Sequence, residues 1–146
     1  MQLLLNLDVD DLDRAIAFYT SAFDLRVGRH FGDWAELVGG TSPIYLLPKA
    51  AGTPTAAVPE GAANAKHNQL RDYARHWTPL HLDFVVDDIE LAIQRALKAG
   101  AAQEREITSH PYGRLALMAD PFGHGFCLIQ FTGRGYDELR TTSSNQ

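Results

Sequence analysis

Two βαβββ modules in an α+β chain are what the sequence predicts, and three observations carry the prediction. The stretch Val9-Asp10-Asp11-Leu12-Asp13-Arg14-Ala15-Ile16 returns as Val86-Asp87-Asp88-Ile89-Glu90-Leu91-Ala92-Ile93, so position 9 maps onto position 86 at an ungapped offset of 77. A two-residue hydrophobic period leads into each copy, and helical spacing follows it. Three short runs separated by turn formers then close each half. The chain is read as one supersecondary unit used twice, so positions in one half can be compared with their mates in the other.

In the first half Leu3, Leu5, Leu7 and Val9 alternate with Leu4, Asn6 and Asp8, the pattern of a strand whose two faces meet different surroundings. Asp10 and Asp11 offer an N-cap, and Leu12, Ala15, Ile16, Tyr19 and Phe23 form an apolar stripe for a helix of about three turns. In the second half Asp87 and Glu90 read as a capping pair, Ile89, Ile93 and Leu97 as the stripe, and Gly100 as the terminator. Strands are expected over 26–31, 34–38 and 43–48, and again over 103–107, 114–119 and 125–131. The modules span 1–49 and 78–132. Between them, 50–77 reads as a linker whose stretch 64–77, carrying His67, Arg71, Arg75 and His76, suits either a lid or a solvated short helix. Residues 133–146 form a C-terminal tail.

With 146 residues, 45% of them hydrophobic, the chain can bury one proper core. Acidic residues outnumber basic ones 18 to 13, and no Lys/Arg run could neutralise a phosphate backbone, which argues against nucleic acid. The opening apolar run has no basic flank and meets Asn6 and Asp8 too early for a leader or a membrane span. One cysteine, Cys127, excludes an internal disulfide and fits a reducing compartment, so a cytoplasmic location is expected.

With a helix on one face of each sheet, the other face, with Leu4, Asn6, Asp8, His81, Asp83 and Val85, is expected to line a cavity, because polar side chains are costly in a dry core. Applying the offset, His81 stands opposite Leu4 and Asp83 opposite Asn6.

The wording of the two halves resembles the vicinal oxygen chelate superfamily, which includes glyoxalase I, extradiol dioxygenases, fosfomycin-modifying enzymes and bleomycin-resistance proteins. Three segments carry the likeness: Leu7–Leu12 leading to Ala17-Phe18-Tyr19, His81–Asp88, and Asp120-Pro121-Phe122-Gly123-His124-Gly125. The resemblance implies modules curled into an incomplete barrel around a binding cavity, completed in many members by a homodimer. It also implies metal-ligand positions at Leu4 and His81 on the first strands and at Cys127 and Tyr45 (or Ile44) on the last ones. A leucine donates nothing and a phenol must ionise from about 10 to bind well, so neither metal nor cofactor is expected. His81 with Cys127 would make a softer pair short of partners.

The candidate ligand-binding residues are therefore Asn6, Trp34, Tyr45, His81, Asp83, Arg114 and Cys127. Asn6 and Asp83 would fix a polar ligand, Trp34 and Tyr45 would stack on a flat one, and Arg114 would clamp an anion or else pair with a surface acid. Cys127 beside His81 reads either as an activated thiol or as an inert core residue, and His81 as a base, a ligand or a satisfied polar group. The function expected is metal-independent binding of an aromatic or cationic small molecule. The alternative is a glyoxalase- or dioxygenase-like enzyme in which His81 and Asp83 are catalytic or a non-standard metal site operates. Unpaired sheet edges lead to the expectation of a homodimer.

Overall fold

The structure, a computed structural model, describes residues 2–55, 69–76 and 78–139. In the first module β1 (Leu5–Val9) is followed by α1 (Leu12–Ala22), β2 (Arg26–His30), β3 (Ala35–Val38) and β4 (Ile44–Pro48). Its sheet order is β1-β4-β3-β2, with β1 parallel to β4 and the rest antiparallel. The second module gives β5 (Leu82–Val85), α2 (Ile89–Ala99), β6 (Ala102–Gln103), β7 (Thr108–His110), β8 (Gly113–Ala119) and β9 (Gly125–Phe131). Here β5 runs parallel to β9, β9 pairs antiparallel with β8, and both β6 and β7 pair with β8. A 3-10 turn, Gly135–Leu139, ends the described chain. The two open mixed sheets with one helix each form an α+β fold without a closed barrel.

Of the strand expected over 103–107 only Gln103 is formed, at the end of β6, and pairing with β8 resumes beyond that range in β7. The run Glu104-Arg105-Glu106 between them has little to bury, while Ile107 packs against the core. Helix starts follow their caps. The Asp11 carboxylate accepts from the Arg14 N–H at 2.9 Å, and the Asp88 carboxylate from the Leu91 N–H at 2.9 Å, each worth about 1 kcal/mol. The expected Asp87–Glu90 capping pair is thus corrected by one position, and Glu90 instead meets Arg114. Gly100 stops α2 with φ +112°, a conformation that side chains resist.

One core joins the modules. Leu7, Val9, Phe18, Leu37 and Leu46 of the first cluster with Ile89, Ala116, Met118, Phe122 and Leu128 of the second. α1 bridges them, with Phe18 edge-on to Phe122 and Phe23 stacked on Phe84 with ring centroids 3.9 Å apart. No helix among the described residues is long and apolar enough to cross a membrane.

Candidate functional site

Between the open edges of β1 and β5 lies a cleft of about 500 Å3. β1 contributes Asn6 and Asp8, α1 contributes Tyr19, β5 contributes Leu82 and Phe84, and the turn into β9 contributes His124, Gly125 and Phe126. Residues 69–76 form its roof. They contain no helix, so this part of the helix expected over 64–77 is not formed, and the remainder lies outside the described residues. The roof is pinned instead by an ion pair between Arg71 Nε and Asp8 Oδ2 at 2.7 Å, by Tyr73 Oη donating to the Lys49 carbonyl at 2.7 Å, and by backbone bonds from Arg71 N to Thr53 O and from His76 N to Gly123 O. Gly123, at φ +86°, lets the chain at Ala74 pass where a Cβ would collide with its carbonyl.

The turn below that roof holds a buried carboxylate. Asp120 Oδ1 accepts from the N–H groups of Phe122 and His124, at 2.9 and 2.8 Å, while Oδ2 accepts from Tyr19 Oη at 2.6 Å and faces His124 Nδ1 at 2.8 Å. Burial by itself raises the Asp120 pKa, but hydrogen bonding and charge from His124, with the Tyr19 hydrogen bond, hold it below the usual carboxylate range. Burial, then the charge of Asp120, push the Tyr19 phenol well above its ordinary value, so it stays protonated and donates.

Of the candidate ligand-binding residues only Asn6 lines this cleft, joined by Asp8 from the expected cavity face and by Arg71 and His76 from the stretch read as a lid or helix. The expected cavity face of β5 is turned the other way. Phe84 is drawn against Phe23 of α1, so β5 meets the cleft through Leu82 and Phe84, and His81, Asp83 and Val85 face outward. There His81 Nδ1 lies 3.0 Å from Asp83 Oδ1 and His81 Nε2 lies 3.9 Å from Cys127 Sγ. One donor atom from each of the three falls within 4.8 Å of the other two, so Asp83 joins the pair that sequence left without partners. Burial first, then the Asp83 charge, push the Cys127 thiol up to about 12. Tyr136 packs beside this face, its ring 4.8 Å from Phe131 and 5.0 Å from Tyr112.

Tyr45 and Trp34 lie on the outer face of the first sheet. Glu36, only 6% exposed, accepts from Tyr45 Oη at 2.9 Å and from Arg29 Nε and Nη2 at 2.9 and 2.6 Å. Trp34 sits 5.5 Å from the Tyr45 ring and stacks on Phe31 at 3.9 Å. Gly28 leaves the space that Glu36 fills, since a Cβ there would stand 2.7 Å from its carboxylate. Arg114 is on the helix side of β8, forked onto Glu90, and takes the surface-acid role instead of the ligand clamp. Tyr19, Tyr73, Asp120 and His124 were missed as site residues. The Asp-Pro-Phe-Gly-His run reads as a turn, and its contact with Tyr19 spans 101 positions of sequence.

The four positions that the superfamily resemblance marks for a metal do not fit one. Leu4 offers no donor, and the Tyr45 phenol is engaged by Glu36 and Arg29 with its pKa raised, chiefly by the hydrogen bond to Glu36. His81, Asp83 and Cys127 could hold a soft ion from one module alone.

The glyoxalase-like domain family matches residues 5–129. The chain belongs to that family. As a glyoxalase-like chain it falls within the vicinal oxygen chelate superfamily. An uncharacterized protein of Mycobacterium bovis is 29% identical over 144 residues, covering 97% of this chain and 91% of the relative. The anthracycline biosynthesis protein DauV of Streptomyces sp. (strain C5) is 30% identical over 125 residues, 83% of this chain but 38% of the relative. Among solved structures, the fosfomycin resistance protein FosX of Listeria monocytogenes superposes with a TM-score of 0.68 at 14% identity, over 96% of this chain and 98% of that one, a likeness of fold.

Proposed function

We propose that this glyoxalase-like chain binds a small aromatic molecule in the cleft between its modules, without a metal, and sequesters it. The cleft itself carries the reading. Its volume of about 500 Å3 falls in the range of drug-sized ligands, and the partly exposed aromatic rings of Tyr73 and Phe84 line it beside a few polar groups. A flat ring would find stacking surface there, and Asp8, half neutralised by Arg71, would tolerate a cationic substituent. Supporting the choice of ligand class, two Streptomyces relatives are named for the biosynthesis of anthracyclines, which are planar aromatic compounds. The exposed edge strand β2 is the surface on which we propose a homodimer forms. Light scattering should return twice the chain mass.

The test is titration of the purified protein with doxorubicin, a fluorescent anthracycline, with and without a chelator. The expected result is saturable quenching with a Kd in the micromolar range that the chelator leaves unchanged and Leu82→Arg abolishes. Absence of binding, or binding that needs an added metal, overturns the reading.

A second reading, catalysis by His81 with Asp83, is favoured by the 3.0 Å contact that holds the imidazole ring of His81 with its Nε2 towards Cys127. His81→Ala separates the two: doxorubicin binding in the cleft is unaffected, whereas any turnover is lost.

A further inference from the structure

The cleft contains a polar ring whose outer nitrogen neither packing nor the fold consumes. His124 is held at its Nδ1 end by Asp120, whose side chain is wholly buried, while the imidazole keeps 18% of its surface open and lines the cleft. Nε2 stands at the other end of the ring from Asp120 and makes no hydrogen bond among the described residues. An ionised carboxylate can only accept, so Nδ1 carries a proton, and a ring holding that single proton presents a lone pair at Nε2. Tyr19 and the backbone N–H groups of Phe122 and His124 fill the other acceptor directions of Asp120, which fixes the carboxylate and, through it, the ring. His76 braces the same ring edge-on, with centroids 5.3 Å apart, and its Nδ1 is 3.1 Å from the Ala74 carbonyl.

We propose that His124 Nε2 is the specificity-determining acceptor of the cleft, and that it selects aromatic ligands bearing a hydroxyl at the ring edge. The inference rests on the cleft being the ligand site and adds the chemical class that the site prefers. A neutral hydroxyl suits it better than an ammonium, because four donors already satisfy Asp120 and leave little unbalanced negative charge at that end. The partly exposed rings of Tyr73 and Phe84 lining the same cleft favour a donor carried on a flat body that can stack beside them.

Two measurements test this. Long-range proton–nitrogen NMR on the wild-type protein at about pH 8, where an ordinary imidazole is neutral, should show His124 as the Nδ1–H tautomer. The Nε2–H tautomer, or an imidazolium protonated at both nitrogens, would overturn the proposal, and this measurement needs no variant. Titration with anthraflavic acid, a dihydroxyanthraquinone, and with its dimethyl ether should show the hydroxylated compound binding about five- to tenfold more tightly, as one neutral hydrogen bond allows. His124→Phe should bring that ratio to about one while retaining the ether's affinity. Equal affinities in the wild type, or a ratio that survives the substitution, overturn the role of His124 and leave the cleft as ligand site intact. Failure of both compounds to bind overturns both.

Discussion

Across β1, β4 and β3 stand Asn6, Tyr45 and Glu36, and across β5, β9 and β8 the matching row is Asp83, Cys127 and Leu117. The backbone pairing is the same in both modules, but the chemistry is not. In the first row the carboxylate sits on β3 and is closed off by a forked arginine and a phenol, with the Glu36 pKa drawn from 4.5 down to about 2, chiefly by the Arg29 hydrogen bond. In the second the carboxylate has moved to β5, where it meets a half-exposed histidine and a buried thiol. Pairing decides which positions face outward. Side-chain identity then decides whether that face is satisfied or reactive.

The helix-facing sides should behave alike where the outer faces differ. Leu46→Ala and Leu128→Ala each remove a fully buried side chain from the shared core, and each should cost about 2–5 kcal/mol in urea denaturation. Both variants should still unfold in one transition; two separated transitions would show that the modules do not share a core. The next effect is acid sensitivity. A depressed folded-state pKa gives Glu36 a stabilising contribution that is present above 4.5 and is lost as pH falls from there towards 2. Asp120, lowered in the same direction, loses its contribution on the same side. Glu36→Gln should flatten the acid limb of the stability profile, and an unchanged limb would assign it to Asp120.

The second row should show its open chemistry in thiol reactivity. With the Cys127 thiol at about 12, alkylation by iodoacetamide at about pH 8 should be slow, and Asp83→Asn, by removing a charge that raises that value, should accelerate it about tenfold for each unit the thiol falls. No acceleration would mean that burial alone protects the sulfur. The smallest effect is expected at the roof. Arg71→Ala should cost only about 1 kcal/mol of stability, since its partner Asp8 is partly in water, yet weaken doxorubicin binding as the roof loosens.

Much of this was legible in the chain. Asp11, Gly100 and the alternation of Leu5, Leu7 and Val9 act through neighbours a few residues away, so caps, terminators and strand faces can be read locally. The cleft could not be read that way. Its β5 wall is the opposite parity from the one that symmetry with β1 suggests, because Phe23 from α1 claims Phe84. Arg114 gave no sign of its partner, since Glu90 lies on another element. Tyr19 and Asp120 meet across 101 positions, and nothing in either neighbourhood announces the other.

Periodicity, turn chemistry and the composition of single side chains were enough to give the repeated strand–helix–strands module, its hydrophobic faces and the lack of a donor at Leu4, though not the break between β6 and β7. Where the modules leave a gap, and what points into it, follows from long-range packing instead. Packing of α1 against the second module is a non-local choice among apolar surfaces, and it turned His81 and Asp83 outward beside the buried Cys127 thiol while leaving Tyr19 and His124 at the cleft next to the buried Asp120.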